Sequence, residues 1–316
     1  MQTLTFHNGN QMPAFGLGTW KSAPGKVYDA VKEAIRVGYR HIDCAPIYGN
    51  EAEVGKALKE VITEGLVTRE ELWITSKLWN DAHAPAEVQP ALQKTLDDLQ
   101  LDYLDLYLMH WPVALQSGVP FPKGPEHFVS TDELPLEDTY DAMAATMKQG
   151  LTHHIGVCNF SIANLVHLMK ASDHLVEMNQ IEMHPYLQQP EMLEFAHEHN
   201  LLLTAYSPLG SKDRPDGMKG ENEPSLFEDE AIQAMAKDKG VSVAQILISW
   251  ALHRGTAVIP KSTNPGRIQE NLAATEIELS AADMDRLQQL DRAHRLLQGS
   301  FWAMEGSPYT MADLWG

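Results

Sequence analysis

Cysteine and positive charge are both scarce in this chain of 316 residues. Its two cysteines, Cys44 and Cys158, form no disulfide framework and read as small buried residues of a protein kept in a reducing compartment. Lys and Arg number 24 against 43 Asp and Glu, a net charge of −19. That field repels nucleic-acid backbones and anionic membrane surfaces, which argues against both as partners. Long apolar runs are missing too, since none approaches the roughly 18 residues of a membrane-spanning helix. The opening MQTLTFHNGNQMPAF carries neither a basic stretch nor an apolar one, so no signal peptide and a cytoplasmic protein are expected.

Some chemistries are excluded by absent motifs. The GxG at Gly16–Gly18 is too short for a dinucleotide fingerprint, and no GxGxxG opens a helix. No HxH ends a strand. The adjacent His153 and His154, and His197-Glu198-His199, lack the spacing of a helical ligand pair and read as solvated or structural residues, so no metal is expected. No Ser or Cys has a triad partner that would make it a nucleophile.

What is present is a regular alternation. A turn at Asn8-Gly9-Asn10 centres a hairpin over Leu4–Phe15. Short apolar strands then alternate with helical patterns. The strands are Phe15–Trp20, His41–Ile42 ending on Asp43, Leu72–Ser76 ending on Lys77, Leu104–Met109 ending on His110, His154–Cys158, Glu177–Glu182, Leu201–Tyr206 and Thr256–Ile259. Gly38 stops the first helix, Ser161 caps the fifth, and Ser280–Asp283 opens one more helix after the last unit. Eight strand–helix units without a break predict an α/β fold: one (β/α)8 TIM barrel domain over 1–316, with an N-terminal β-hairpin and long loops at its C-terminal face. A doubly wound open sheet is the alternative; it would normally carry a Gly-rich phosphate turn, which is missing. The long segments Val113–Pro135 and Ser207–Ser225 are candidate functional loops. The tail, 296–316, reads as an irregular loop over the barrel mouth.

Strand ends carry the chemistry of such a barrel, and here they are Asp43, Lys77, His110, Tyr206 and Lys261, with Tyr48 one loop-step on. A phenol is a poor acid near neutrality unless a neighbouring ammonium favours its ionised form. Asp43, Lys77 and Tyr48 therefore read as a tuned proton donor, with His110 free to hydrogen-bond a substrate oxygen. A proton donor without a nucleophile suits reduction of a carbonyl by a hydride-carrying cofactor. In the eighth unit, Lys261 and Arg267 flank a helix start at Asn264, an anion site suited to a 2′-phosphate. Trp20, Ile47, Tyr48, Trp79, His110, Trp111 and Trp302 are the expected substrate pocket, with Phe121 and Phe301 beside them. This pocket suits an apolar or sugar-like carbonyl compound and has no evident charged anchor.

The segments GxGTW at Gly16–Trp20, GYRHIDCAPIYGNE, TSKLW, LDYLDLYLMHWP, IGVCNF and IPKSTNPGRIQEN occur in the order of the aldo-keto reductase superfamily, which this chain resembles over nearly its whole length. The resemblance implies a (β/α)8 barrel that reduces aldehydes or ketones, with aldoses and other sugar-like carbonyls among the candidates, using NADPH; NADH would be a second choice. It implies a catalytic tetrad of Asp43, Tyr48, Lys77 and His110. Cofactor contacts carried over with it are Thr19, Trp20, Asp43, Asn159, Gln180, Tyr206, Ser207, Leu209, Ser211, Lys261, Ser262, Thr263, Asn264, Arg267, Glu270 and Asn271. It leaves open a non-catalytic NADP-binding barrel, against which the complete tetrad speaks. A small-molecule carbonyl substrate is the expected partner, and the chain is expected to be a monomer or a weak homodimer. Cys158 stands where such proteins usually carry Ser, and Thr152-His153-His154 where they carry basic residues.

Overall fold

The structure is a computed structural model that describes residues 2–220 and 222–316. Its centre is a sheet of eight parallel strands taken in sequence order: β1 (Leu17–Gly18), β2 (His41–Asp43), β3 (Trp73–Leu78), β4 (Leu104–Met109), β5 (Thr152–Cys158), β6 (Met178–Glu182), β7 (Leu202–Tyr206) and β8 (Ala257–Val258). The sheet closes on itself: Phe15 bridges Val258, and the Gly16 and Gly18 amides donate to Val258 and Pro260 carbonyls at 3.0 and 3.1 Å. Gly18 is required at this seam, because a Cβ there would sit 2.8 Å from the Ile259 carbonyl oxygen. The expected (β/α)8 barrel is the observed fold.

Helices follow the strands and form the outer ring. α1 (Val27–Val37) buries Val27, Ala30, Val31, Ala34 and Ile35, the predicted stripe, and ends at Gly38 with φ 119°. α2 (Glu51–Thr63), α3 (Pro85–Leu99) and α4 (Leu136–Lys148) follow β2, β3 and β4. α5 (Ile162–Ala171) starts at Ser161, whose hydroxyl accepts the Asn164 amide, and α6 (Pro190–His199) follows β6. α7 (Glu230–Lys239) and α8 (Val243–His253) both lie between β7 and β8, and α9 (Pro265–Ala273) is capped by Asn264. α10 (Ala281–Gln288) opens with the expected capping box of Ser280 and Asp283.

The hairpin Thr3–Thr5 with Gln11–Pro13 lies at the end opposite the site. There the Phe6 ring packs against both Trp73 and His154, with centroids 5.2 and 4.1 Å away. His154 is wholly buried, its Nδ1 3.0 Å from Glu177 Oε1, so of the unusual residues Thr152-His153-His154, which open β5, Thr152 and His154 belong to packing at the barrel floor while His153 is exposed.

Three local expectations need correction. Lys77 lies inside β3, which runs to Leu78, and its buried side chain reaches Asp43 of β2. The segment 113–135 holds a small ladder, Ala114–Leu115 with Phe128–Val129. The tail is ordered structure, with a 3-10 turn at Ser300–Trp302 and a short helix α11 (Met311–Trp315). Tail and loop share a second hydrophobic core of Trp79, Trp111, Val113, Leu115, Phe128, Trp302, Tyr309 and Leu314, separate from the main one. Apolar side chains of two segments far apart in sequence bury each other, a pattern with no local period.

Candidate active site

Asp43 and Lys77 meet because β2 and β3 pair in parallel, Asp43 opposite Thr75, which brings both side chains inside the barrel. Lys77 Nζ donates to Asp43 Oδ1 at 2.6 Å and to the Cys44 carbonyl at 2.8 Å. Gln180 Nε2 donates to the other carboxylate oxygen at 2.7 Å, so the charge is fully partnered. A buried ion pair survives only when its hydrogen bonds are completed in this way. Burial would push the Lys77 ammonium down, but Asp43 and then Tyr48 hold it well above the usual lysine range.

Tyr48 closes a 3-10 turn, Pro46–Tyr48, that Gly49 ends with φ 68°. Its ring centroid is 5.3 Å from Lys77 Nζ, 5.9 Å from the His110 ring in an edge-on arrangement and 6.4 Å from Trp20. The expected pull of the ammonium on the phenol is present, but burial is the larger effect, and Tyr48 ends above its ordinary value as a neutral O–H donor. His110 is pushed far below the histidine range by burial, with Lys77 and His83 adding to it, so its imidazole is neutral. Its carbonyl accepts Asn159 Nδ2 at 2.9 Å, and Asn159 Oδ1 accepts the Tyr206 hydroxyl at 2.6 Å.

Asp43, Tyr48, His110, Asn159, Gln180 and Tyr206 line one end of an open cavity of about 580 Å³, and Lys77 is buried behind that lining. Every residue that the resemblance assigns to a cofactor lines that cavity: Thr19, Trp20, Asp43, Asn159, Gln180, Tyr206, Ser207, Leu209, Ser211, Lys261 to Asn264, Arg267, Glu270 and Asn271. Of the expected substrate residues, Trp20, Ile47, Tyr48, Trp79, His110 and Trp111 line it, and so does Phe121. Trp302 does not. It is fully buried behind the wall, 5.9 Å from Trp79 and from Trp111 and stacked on Phe121, while its neighbour Phe301 and Leu297 take the place expected of it.

Sequence reading missed a second charged group. Asp213, in the loop after β7, accepts Lys21 Nζ at 2.5 Å and Lys261 Nζ at 2.8 Å, tying the segment after β1 to that after β8. Partial burial would raise the Asp213 carboxyl, yet the two ammonium groups hold it down to about 2. Ser207 and Ser211, which precede Asp213 at the start of this loop, have φ of 51° and 44°, a left-handed backbone rare for residues other than glycine. Asp213 carries no local signal in the sequence, because Lys21 and Lys261 both lie far from it along the chain.

The cavity fits an extended anionic dinucleotide. At one end Asn264 caps α9 and Arg267 has no carboxylate partner among the described residues; at the other the wall is aromatic. The family model for the Aldo/keto reductase family matches residues 12–292. The chain is 51% identical over its full length to an aldo/keto reductase of Synechocystis sp., covering 96% of that protein. It is 47% identical to aldo-keto reductase family 1 member A1 of Xenopus tropicalis and 46% identical to the human protein of that name, in each case over 93% of this chain and 90% of the relative. The chain therefore belongs to the aldo/keto reductase family. It is an NAD(P)H-dependent oxidoreductase that reduces carbonyl groups of small molecules. Among the described residues no helix is long and apolar enough to cross a membrane.

Proposed function

We propose that this enzyme uses NADPH to reduce uncharged apolar or aromatic aldehydes and ketones, with Tyr48 as the proton donor. The observation that carries the reading is the Tyr48 phenol at the aromatic end of the cavity, its ring 5.3 Å from the ammonium of a completed Lys77–Asp43 pair. The nicotinamide, when bound, supplies the hydride to the carbonyl carbon. Tyr48 gives its O–H proton to the carbonyl oxygen, and the phenolate left behind faces the Lys77 ammonium, which has no other charge to neutralise besides Asp43. His110, neutral, orients the carbonyl oxygen with a ring N–H. In the reverse direction Tyr48 is the base.

Lys261, Arg267 and the amides at the start of α9 would hold the 2′-phosphate, which favours NADPH over NADH. Asn159, Gln180, Ser207 and the Tyr206 ring would hold the nicotinamide end; Leu209 and Ser211 together with the Asp213 bridge would hold the pyrophosphate. Around Tyr48 the wall is Trp20, Ile47, Trp79, Trp111, Phe121, Leu297 and Phe301; the cation beside it, Lys21, lies 4.4 Å from the Trp20 ring centroid and is paired with Asp213. Such a wall suits an apolar carbonyl better than a polyhydroxylated or anionic one, whose polar groups it leaves without partners. Two buried unpaired cysteines fit a protein of the cytoplasm; the enzyme would work as one barrel domain and as a monomer or weak dimer.

The test is initial rate over a panel of aliphatic, aromatic, aldose and carboxylated carbonyl compounds with NADPH and NADH in parallel. The reading expects the highest kcat/KM for aromatic aldehydes with NADPH. Equal or better rates on carboxylated aldehydes would contradict the substrate class, and no rate on any carbonyl would contradict the reading as a whole.

A further inference from the structure

Glu182, the last residue of β6, is completely buried and belongs to no part of the cavity wall. Its carboxylate is nonetheless fully used. Oε1 accepts His184 Nε2 at 2.8 Å and the Leu296 amide at 2.7 Å, and Oε2 accepts the Leu297 amide at 2.7 Å. Burial alone would push this carboxyl up, but the bonds from His184 and from the two amides bring it below its ordinary value, so it is a carboxylate. Two consecutive amides aimed at the two oxygens of one carboxylate fix both the position and the direction of the chain at that point.

What begins at that point is the tail. Just before it, the Arg292 and His294 amides donate to the Tyr186 carbonyl at 3.2 and 2.9 Å, so the approach is fastened to the same loop after β6. Just after it, Leu297 lines the cavity, Gly299 crosses Trp111 so closely that a Cβ would lie 3.1 Å from the indole, and Phe301 lines the cavity again. At its far end the tail is fastened a second time. The Tyr309 hydroxyl donates to the Val129 carbonyl at 2.6 Å and accepts the Ala114 amide at 2.9 Å, joining the tail to the loop after β4. The segment that bears two side chains of the apolar wall thus hangs between two buried polar anchors, neither of which touches the cavity.

We propose that Glu182 is a positioning residue for substrate selectivity: it sets where the tail starts and thereby where Leu297 and Phe301 stand in the wall. The inference rests on the carbonyl-reductase reading above. It assigns to Glu182 the packing of the part of a substrate remote from the carbonyl, and no part in proton transfer or cofactor binding. Tyr309 performs the same service from the other end of the tail.

The experiment compares wild type, Glu182→Gln and Tyr309→Phe on propanal and on 2-naphthaldehyde, with NADPH binding followed by fluorescence titration. Glutamine keeps the shape but points an NH2 group at an amide or at the imidazole; phenylalanine keeps the ring and loses both bonds. For the naphthaldehyde KM should rise by about tenfold with kcat little changed, while kcat/KM for propanal and NADPH affinity stay within about twofold of wild type. A uniform loss on both aldehydes, or no change on either, would overturn the inference. Tyr309→Phe, which removes no charge, carries the same comparison if Glu182→Gln does not fold. Wild-type turnover of neither aldehyde would instead sink the underlying reading, and the inference with it.

Discussion

Lys77 Nζ and Asp43 Oδ1 lie 2.6 Å apart with side chains 0% and 2% exposed, a fully desolvated ion pair directly beneath the Tyr48 ring. Stability and chemistry are coupled in this pair. The charge that Asp43 keeps on Lys77 is the one that receives the Tyr48 phenolate, and the same charge would be unsupported in the interior without Asp43.

Asp43→Asn therefore has two expected consequences. Removing one partner of a buried pair leaves the other uncompensated, and the loss of unfolding free energy should be about 3 kcal/mol or more. Carbonyl reduction should fall as well, because Lys77 no longer remains charged against its burial. Denaturant unfolding and steady-state rates on the same preparation check both; normal stability with normal turnover would mean that the pair is dispensable.

The pH dependence of the rate follows from the neutral imidazole. Since burial and Lys77 drive the His110 titration far below its usual range, kcat/KM for reduction should show no limb in the ordinary histidine region. A pH–rate profile with such a limb that disappears in His110→Gln would contradict a neutral His110.

Glu51, the first residue of α2, makes a separate and checkable pH effect on stability. Ser76 Oγ and Thr95 Oγ1 donate to its carboxylate at 2.6 and 3.2 Å, yet burial outweighs both and pushes it up from 4.5 to about 7. A raised carboxyl holds its proton longer in the folded state than in the unfolded one. Its stabilising contribution is thus complete below about 4.5 and is lost as pH rises through about 7, a difference on the order of 3 kcal/mol. Unfolding free energies at about pH 5 and about pH 8 should show wild type losing stability relative to Glu51→Gln as pH rises. An equal gap between the two proteins at both values would refute the raised titration.

Much of this site is legible in the sequence, for a reason special to the barrel. Parallel strands buried on both faces end abruptly on the first polar residue, and in a barrel all those ends share one rim, so Asp43, His110, Tyr206 and Lys261 could be gathered without coordinates. Other features depend on contacts with no local period. Asp213 is one acid among 43, in an irregular loop, until Lys21 and Lys261 are seen on either side of it. Trp302 and Phe301 are adjacent in the tail, and only the packing of Trp302 behind Trp79 decides which of them faces the cavity. The neutrality of Tyr48 was equally hidden, because the walls that desolvate it come from several units of the chain.

Cofactor preference separates two cationic groups. Arg267→Ala should weaken NADPH by about tenfold or more and leave NADH within about twofold, as a lost bidentate phosphate contact would. Asp213→Asn should weaken both cofactors, since the bridge it breaks joins Lys21 to Lys261 and only Lys261 faces the 2′ position. Fluorescence titration with each cofactor reads this directly, and a loss of the same size for NADPH and NADH in Arg267→Ala would remove Arg267 from that role.

The most direct test of the central claim is Tyr48→Phe, assayed for single-turnover reduction of an aromatic aldehyde alongside NADPH titration. The account predicts a fall in the chemical rate by a factor of about 10² to 10⁴, with cofactor affinity unchanged. A variant that turns over at the wild-type rate would show that the proton comes from elsewhere.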